Sequence, residues 1–430
     1  MRYDKIDQRL FVENRERFIK KLKPNSIAVF NSSDIQPTNA DGTRPFKQHS
    51  DILYLSGIDQ EETILLINPD AKDKAHKEVL FVRETNEEIA IWEGAKLTKE
   101  QARDISGIQT VYWLSEFDRV FTALVFEAEY IYLNTNEHLR ADTTVETRDD
   151  RFRERCMKQF PLHKYERLSP IMHHLRAVKS QFEIDLLQQA CDITEKGFRR
   201  LLDFVKPGVW EYQVEAELVH EFLYNRSKGF AYEPIIASGY NACVLHYVEN
   251  NKECKDGDLL LMDVGAEYAN YAADMTRTIP VSGRFTDRQK AVYNAVLRVM
   301  KGAMDMLVPG NTIDEYHKEV GELMTKELLD LKLIDKTDVQ NQNPAWPAYK
   351  KYFMHGTSHH LGLDVHDYGN KYMKMEAGMV FTVEPGIYIP GESIGIRLEN
   401  DVVVQKEGKV VDLMANIPIE ADEIEALMNK

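Results

Sequence analysis

The sequence is short of cysteine, of long apolar runs and of positive charge. Its four cysteines (Cys156, Cys191, Cys243, Cys254) form no CxxC pair and keep no regular spacing in 430 residues. That excludes a disulfide scaffold or a thiolate metal site and leaves reduced thiols with packing roles. No apolar run approaches the roughly 18 residues that a membrane span requires. The opening MRYDKIDQRLFVENRERFIKKLK mixes charge into its apolar positions throughout, so it does not read as a signal peptide. The expected setting is the cytoplasm, with no membrane partner. Lys and Arg number 54 against 70 Asp and Glu, a net charge of −16. Such a surface repels phosphate backbones, which argues against nucleic acid as a partner. A P-loop, a GxGxxG after a strand and a GxSxG elbow are also missing, and HEFLY (220–224) starts like HExxH but lacks its second histidine.

What is there suffices for two domains, because one hydrophobic core rarely serves so long a chain. The first part reads as α/β with a mixed or parallel sheet. An apolar stripe over Ile6, Leu10, Phe11, Phe18, Ile19 and Leu22 predicts an opening helix that stops at Pro24-Asn25. Runs at 26–30, 51–57, 62–68, 78–82, 88–92 and 130–134 read as strands, with helices near 98–105, 115–126 and 166–176. The boundary is placed after residue 177, giving domains 1–177 and 178–430. The second part opens on a long helical pattern from Ser180 to about Val205.

The second part repeats itself. Pro207-Gly208 and Pro309-Gly310 each end one helical segment and precede another, 309 − 207 = 102 residues apart. Each helix pair leads into a strand hairpin, GDLLLMDVGAEYANYAADMTRTIPV (257–281) and GMVFTVEPGIYIPGESIGIRLENDVVV (378–404). Asp263-Val-Gly aligns with Glu384-Pro-Gly, and Asp274 then falls opposite Glu399. A carboxylate ending an apolar strand is costly unless it is paired or binds metal. One such acid alone reads as a satisfied strand end; four in duplicate hairpins point to a site. The stretch HGTSHHLGLDVHD adds His355, His359, His360 and His366. For His360 the preferred reading is a surface imidazole. Four acids with one imidazole suit Mn²⁺, Co²⁺, Fe²⁺, Zn²⁺ or Mg²⁺. Two bridged ions would sit about 3.5–4 Å apart and acidify a water for attack on a carbonyl.

These motifs resemble the pita-bread metallopeptidase family, and its aminopeptidase P branch over nearly the whole chain. The matches are LHY (245–247), MDVGAEYANYAADMTRT (262–278), FMHGTSHHLGLDVHD (353–367), VEPGIY (383–388) and IGIRLENDV (394–402), with HSDILYLSGI (49–58) and IWEGAKL (91–97) in the first part. The resemblance implies an α/β fold in which an N-terminal mixed-sheet domain precedes a pseudo-symmetric, creatinase-like pita-bread catalytic domain. It implies two divalent metal ions, Mn²⁺ first among them. Asp263 would hold one metal, His359 and Glu384 the other, and Asp274 and Glu399 would bridge them. Glu384 would also orient the attacking water and carry its proton. His246, His355 and His366 would polarise the scissile carbonyl or line a proline pocket, and Arg397 and Tyr232 would hold the carboxylates. The implied substrate is a peptide with proline in second position. A homodimer or homotetramer is implied too, with Trp92 reaching a neighbouring active site; an N-domain core tryptophan is the competing reading. The alternatives are a prolidase that cleaves Xaa-Pro dipeptides, a creatinase-like hydrolase and a non-catalytic pita-bread binding protein. The segment 335–352 carries no assignment.

Overall fold

The structure is a computed structural model that describes residues 2–141 and 144–430. Its contacts divide the chain into two units, Asp4–Arg176 and Ala177–Lys430, the latter joined by the extreme N-terminus. No helix among the described residues is long and apolar enough to cross a membrane.

The first unit runs α1 (Arg9–Ile19), β1 (Ser26–Asn31), α2 (Ser50–Ser56), β2 (Ile64–Ile67), β3 (Glu78–Val82), α3 (Glu87–Glu93), α4 (Lys99–Ser106), β4 (Thr110–Trp113), α5 (Phe117–Val125), β5 (Tyr130–Leu133), α6 (Arg148–Gln159), β6 (Lys164–Arg167) and α7 (Ser169–Ala177). Its six strands lie in the order β4-β3-β2-β1-β5-β6. Only β2 is antiparallel to its neighbours. One face is filled by Ile27, Val29, Phe81 and Ile131 against Phe121 of α5 and Phe152 of α6.

Two runs expected as strands are helices. DILYLSG forms α2, whose seven residues are all buried, so no apolar period distinguishes helix from strand. The end residues decide instead: His49 Nδ1 accepts from the Asp51 amide, and Gly57 takes the left-handed conformation at φ 69°. EIAIW alternates like a strand but lies in α3, where Asn86 caps the Ile89 amide and Glu87 and Glu88 sit in the first turn. β4 and β6 were not foreseen. The latter, KYER, has no buried residue and so no apolar period to read.

The second unit runs α8 (Gln181–Phe204), α9 (Glu211–Tyr224), β7 (Ile235–Ser238), β8 (Leu259–Val264), β9 (Glu267–Tyr268), β10 (Tyr271–Ala272), β11 (Met275–Pro280), α10 (Asp287–Met306), α11 (Ile313–Asp330), α12 (Lys336–Gln340), β12 (Val380–Val383), β13 (Gly386–Ile389), β14 (Ile394–Arg397), β15 (Asn400–Val403), β16 (Val411–Asp412) and α13 (Ala421–Met428). The internal repeat is visible in the backbone. Gly208 and Gly310 both adopt positive φ, 93° and 94°, which glycine tolerates best. Their amides donate to the carbonyls of Cys254 and Met375, both at 2.9 Å. Each acceptor lies five residues before a long strand of its hairpin, 259 − 254 and 380 − 375.

Both hairpins pair, break and pair again. β8 pairs with β11 up to Val264–Met275, and β9 with β10 beyond the break. There the two-residue turn Ala269-Asn270 has both φ angles positive, 53° and 69°, the geometry that follows strand twist. In the second hairpin β12 pairs with β15 and β13 with β14. Asp274, Glu384 and Glu399 stand in the interruptions, and Asp263 is the penultimate residue of β8.

Candidate metal centre

Where the ladders break, the hairpins face each other. The Glu399 amide donates to the Thr276 carbonyl at 3.0 Å, and the Thr278 hydroxyl to the Arg397 carbonyl at 3.1 Å. One ligand atom each from Asp274, His359 and Glu399 lies within 4.8 Å of the others. Asp274 and Glu399 are only 5% and 2% exposed. His359 Nε2 is 3.4 Å from Asp274 Oδ2 and 3.8 Å from Glu384 Oε1. Its Nδ1 lies 3.0 Å from the His360 carbonyl. A proton on Nδ1 satisfies that contact and leaves Nε2 as the electron-pair donor. Asp263 joins through Tyr232, whose hydroxyl is 2.6 Å from both Asp263 and Asp274. With one proton, that hydroxyl donates to one carboxylate at a time.

Arg397 is the centre's cation. Nη2 reaches Asp263 at 2.6 Å, Nε reaches the Thr276 hydroxyl at 3.1 Å and Nη1 reaches the Tyr388 hydroxyl at 2.9 Å. Thr276 in turn donates to Glu399 at 2.6 Å. Arg397 thus reaches Asp263 directly and Glu399 through Thr276, and the raised carboxyls of Asp263, Glu384 and Glu399 show a shortage of positive charge. Burial, opposed by Arg397, raises Asp263. Burial and the neighbouring Asp274 raise Glu399 well above the carboxylate range. Glu384 is pushed up to about 7, mainly by burial. Burial pulls His359 down, but Asp274 and Glu384 outweigh it and its net shift is upward. Desolvated acids of this kind fit a divalent cation, whose charge supplies what the protein withholds. The oxygen-rich set with one imidazole nitrogen suits a hard or borderline ion.

The other histidines fall unevenly. His355 Nε2 lies 2.7 Å from the Tyr388 hydroxyl and Nδ1 2.8 Å from the Gly356 carbonyl. Burial and Arg397 lower its pKa to about 3, so the ring is neutral. Nδ1 is also 3.6 Å from Glu384 Oε2. The exposed His366 stacks edge-on with His359, with ring centroids 4.5 Å apart. His246 is exposed and near enough to His355 to help lower it. His360 is not a surface imidazole: it is buried, packs on Phe381 with centroids 4.4 Å apart and leaves Nδ1 without a hydrogen bond. An apolar sheet face takes it in, which histidine count alone does not reveal. Trp92, in the other unit, is 82% exposed and so is no core residue.

Sequence reading missed Thr276, Tyr388 and Asp401. Asp401 accepts the Asp274 amide at 2.9 Å and the Cys191 thiol at 3.5 Å. Burial raises its carboxyl well above the usual range. All three lie within the motifs MDVGAEYANYAADMTRT, VEPGIY and IGIRLENDV, which are the signal that could have flagged them.

Residues 185–406 match metallopeptidase family M24, and residues 11–132 match the N-terminal domain of aminopeptidase P. The chain belongs to metallopeptidase family M24 and is a metal-dependent aminopeptidase of pita-bread fold. It is 35% identical to the Xaa-Pro aminopeptidase of Haemophilus influenzae, over 99% of this chain and 98% of that protein. The aminopeptidase PepP of Pseudomonas aeruginosa superposes with a TM-score of 0.90 at 31% identity, covering 99% and 98% of the two chains. The zinc-substituted aminopeptidase P of Escherichia coli, in complex with product, gives 0.87 at 33% identity over 99% of both.

Proposed function

We propose that the chain releases the N-terminal residue from peptides with proline in second position. Asp263, Asp274, His359, Glu384 and Glu399 would hold two divalent ions, Mn²⁺ first. The observation that carries the reading is the convergence of four carboxylates and one imidazole beside Arg397. When bound, the ions would supply Lewis acidity, polarising the peptide carbonyl and lowering the pKa of water.

The rest falls to the protein's own groups. Glu384, beside His355 at 3.6 Å and His359 at 3.8 Å, would take a proton from water and return it to the departing proline nitrogen. Oxygen then adds to the carbonyl carbon, and the bond to that nitrogen breaks. Tyr388 and Arg397 fix the neutral His355 beside Glu384, where it can position the peptide. His366 and His246 would line the space for the proline ring. A tertiary amide offers no N–H, so ring shape has to replace hydrogen bonding in recognition. The two domains are proposed as 1–177 and 178–430. A cytoplasmic homodimer or homotetramer completes the reading, with Trp92 of one copy reaching the active site of another; exposure of Trp92 and Ile91 on α3 supports this.

The test compares an Xaa-Pro-Yaa tripeptide, an Xaa-Ala-Yaa tripeptide and an Xaa-Pro dipeptide with Mn²⁺ present. Cleavage of the proline tripeptide alone is expected. Turnover confined to the dipeptide would make the enzyme a prolidase.

A further inference from the structure

The first unit has a cavity that the metal centre does not use. It measures about 660 Å³ and is lined by Arg148, Arg151 and Arg155 of α6, by Asp34 and Asp118, and by Phe117 and Phe152. Its floor includes Asn31, at the end of β1, and Leu114, just past β4. In open α/β sheets this is the crevice outside the carboxyl ends of the strands, where ligands recur. The volume lies within the range of small-molecule sites.

Two of the three arginines on the wall are tied up in ion pairs. Arg151 pairs with Asp34 at 2.5 Å and Arg155 with Asp118 at 2.7 Å. Glu62, also on the wall, is held by Arg83 at 3.1 Å. Arg148 makes one hydrogen bond, to the Ser32 hydroxyl at 3.0 Å, and no ion pair among the described residues. A guanidinium has five N–H donors, so most of this one's capacity is unused. Burial lowers its pKa despite the acids around it, as expected of a cation short of a direct partner.

We propose that the cavity binds a small organic anion, with a carboxylate or phosphoryl group on Arg148 and an apolar body against Phe117 and Phe152. Both head groups take paired hydrogen bonds from a guanidinium. Arg151 and Arg155 are held by Asp34 and Asp118, so Arg148 is the guanidinium left to take the anion, with Glu62 at the wall setting a limit of one head group.

Calorimetric titration of the full-length, metal-loaded protein at fixed ionic strength tests this. The probes are benzoate and phenyl phosphate, with benzyl alcohol and benzylamine as neutral and cationic controls. Saturable binding of at least one anion is expected, with both controls weaker by about tenfold or more, and Arg148→Gln should reduce the anion's affinity by a similar factor. Arg148→Lys should keep part of it. Binding at the metal centre survives Arg148→Gln, so the difference between wild type and variant belongs to the cavity. Benzoate binding alone assigns carboxylates, and phenyl phosphate alone assigns phosphoryl compounds. No saturable binding of either anion, equal binding of the controls, or full affinity in Arg148→Gln overturns the proposal. Should Arg148→Gln not fold, Arg148→Lys decides: a partial fall in the anion's affinity supports the cavity, and an unchanged affinity overturns it.

Discussion

Glu399 ties the centre to the facing hairpin. It accepts from Thr276, shares the ligand cluster with Asp274 and His359, and carries its amide across to the opposite hairpin. Glu399→Ala should lower kcat by on the order of 10³-fold or more, because it forfeits several kcal/mol of charge stabilisation. Bound metal should fall with it, and near-normal turnover with full metal content would remove Glu399 from the ligand set. The thiols make a prediction of the opposite kind. Burial pushes Cys156 and Cys254 up to about 12 and Cys243 to about 11. Burial and Asp401 raise Cys191 further still. Alkylation at pH 8 should therefore run about 10²- to 10³-fold slower than for a free thiol, and all four should react once the chain is unfolded. Rapid labelling of the native protein would contradict the packing role that their sequence context suggests.

Elements decide where those residues meet. Gly265 lies just past β8, and a Cβ there would fall 1.8 Å from the Ala273 carbonyl oxygen. Gly265→Ala must therefore spread the first hairpin between Asp263 and Asp274. A loss of about 1–3 kcal/mol is expected, read as a fall of several degrees in melting temperature together with weaker metal binding. An unchanged melting temperature would mean that the break closes less tightly. The same hairpin shows how much could be read in advance. Acids at the ends of apolar strands, duplicated in order, point to the candidate centre from the sequence alone. Thr276 and Asp401 went unread because each looks like an ordinary strand residue until the facing hairpin supplies its partner, and Tyr388 because His355, one of its partners, comes from a distant loop. α2 was misread because burial on every side erases the period that separates helix from strand, and α3 because its caps outweighed an alternating pattern.

At the scale of the whole molecule, the clustered acids work against folding until a cation arrives. Removing metal with a chelator should abolish turnover and lower the melting temperature. Ligand at a hundred times its Kd stabilises by about 2.7 kcal/mol, so returning Mn²⁺, Co²⁺ or Zn²⁺ should restore the temperature in step with concentration. A melting temperature indifferent to chelator and metal alike would count against a cation at this centre.

The bonds between the facing hairpins, Glu399 amide to Thr276 carbonyl and Thr278 hydroxyl to Arg397 carbonyl, act as a ruler. A slip of one residue moves a strand by about 3.4 Å, more than the 2.0–2.6 Å bond by which oxygen holds a divalent ion. The two repeats are therefore calibrated against each other. A slip in register would therefore disperse the opposed carboxylates, turning them to the other face, with none of them changed in sequence.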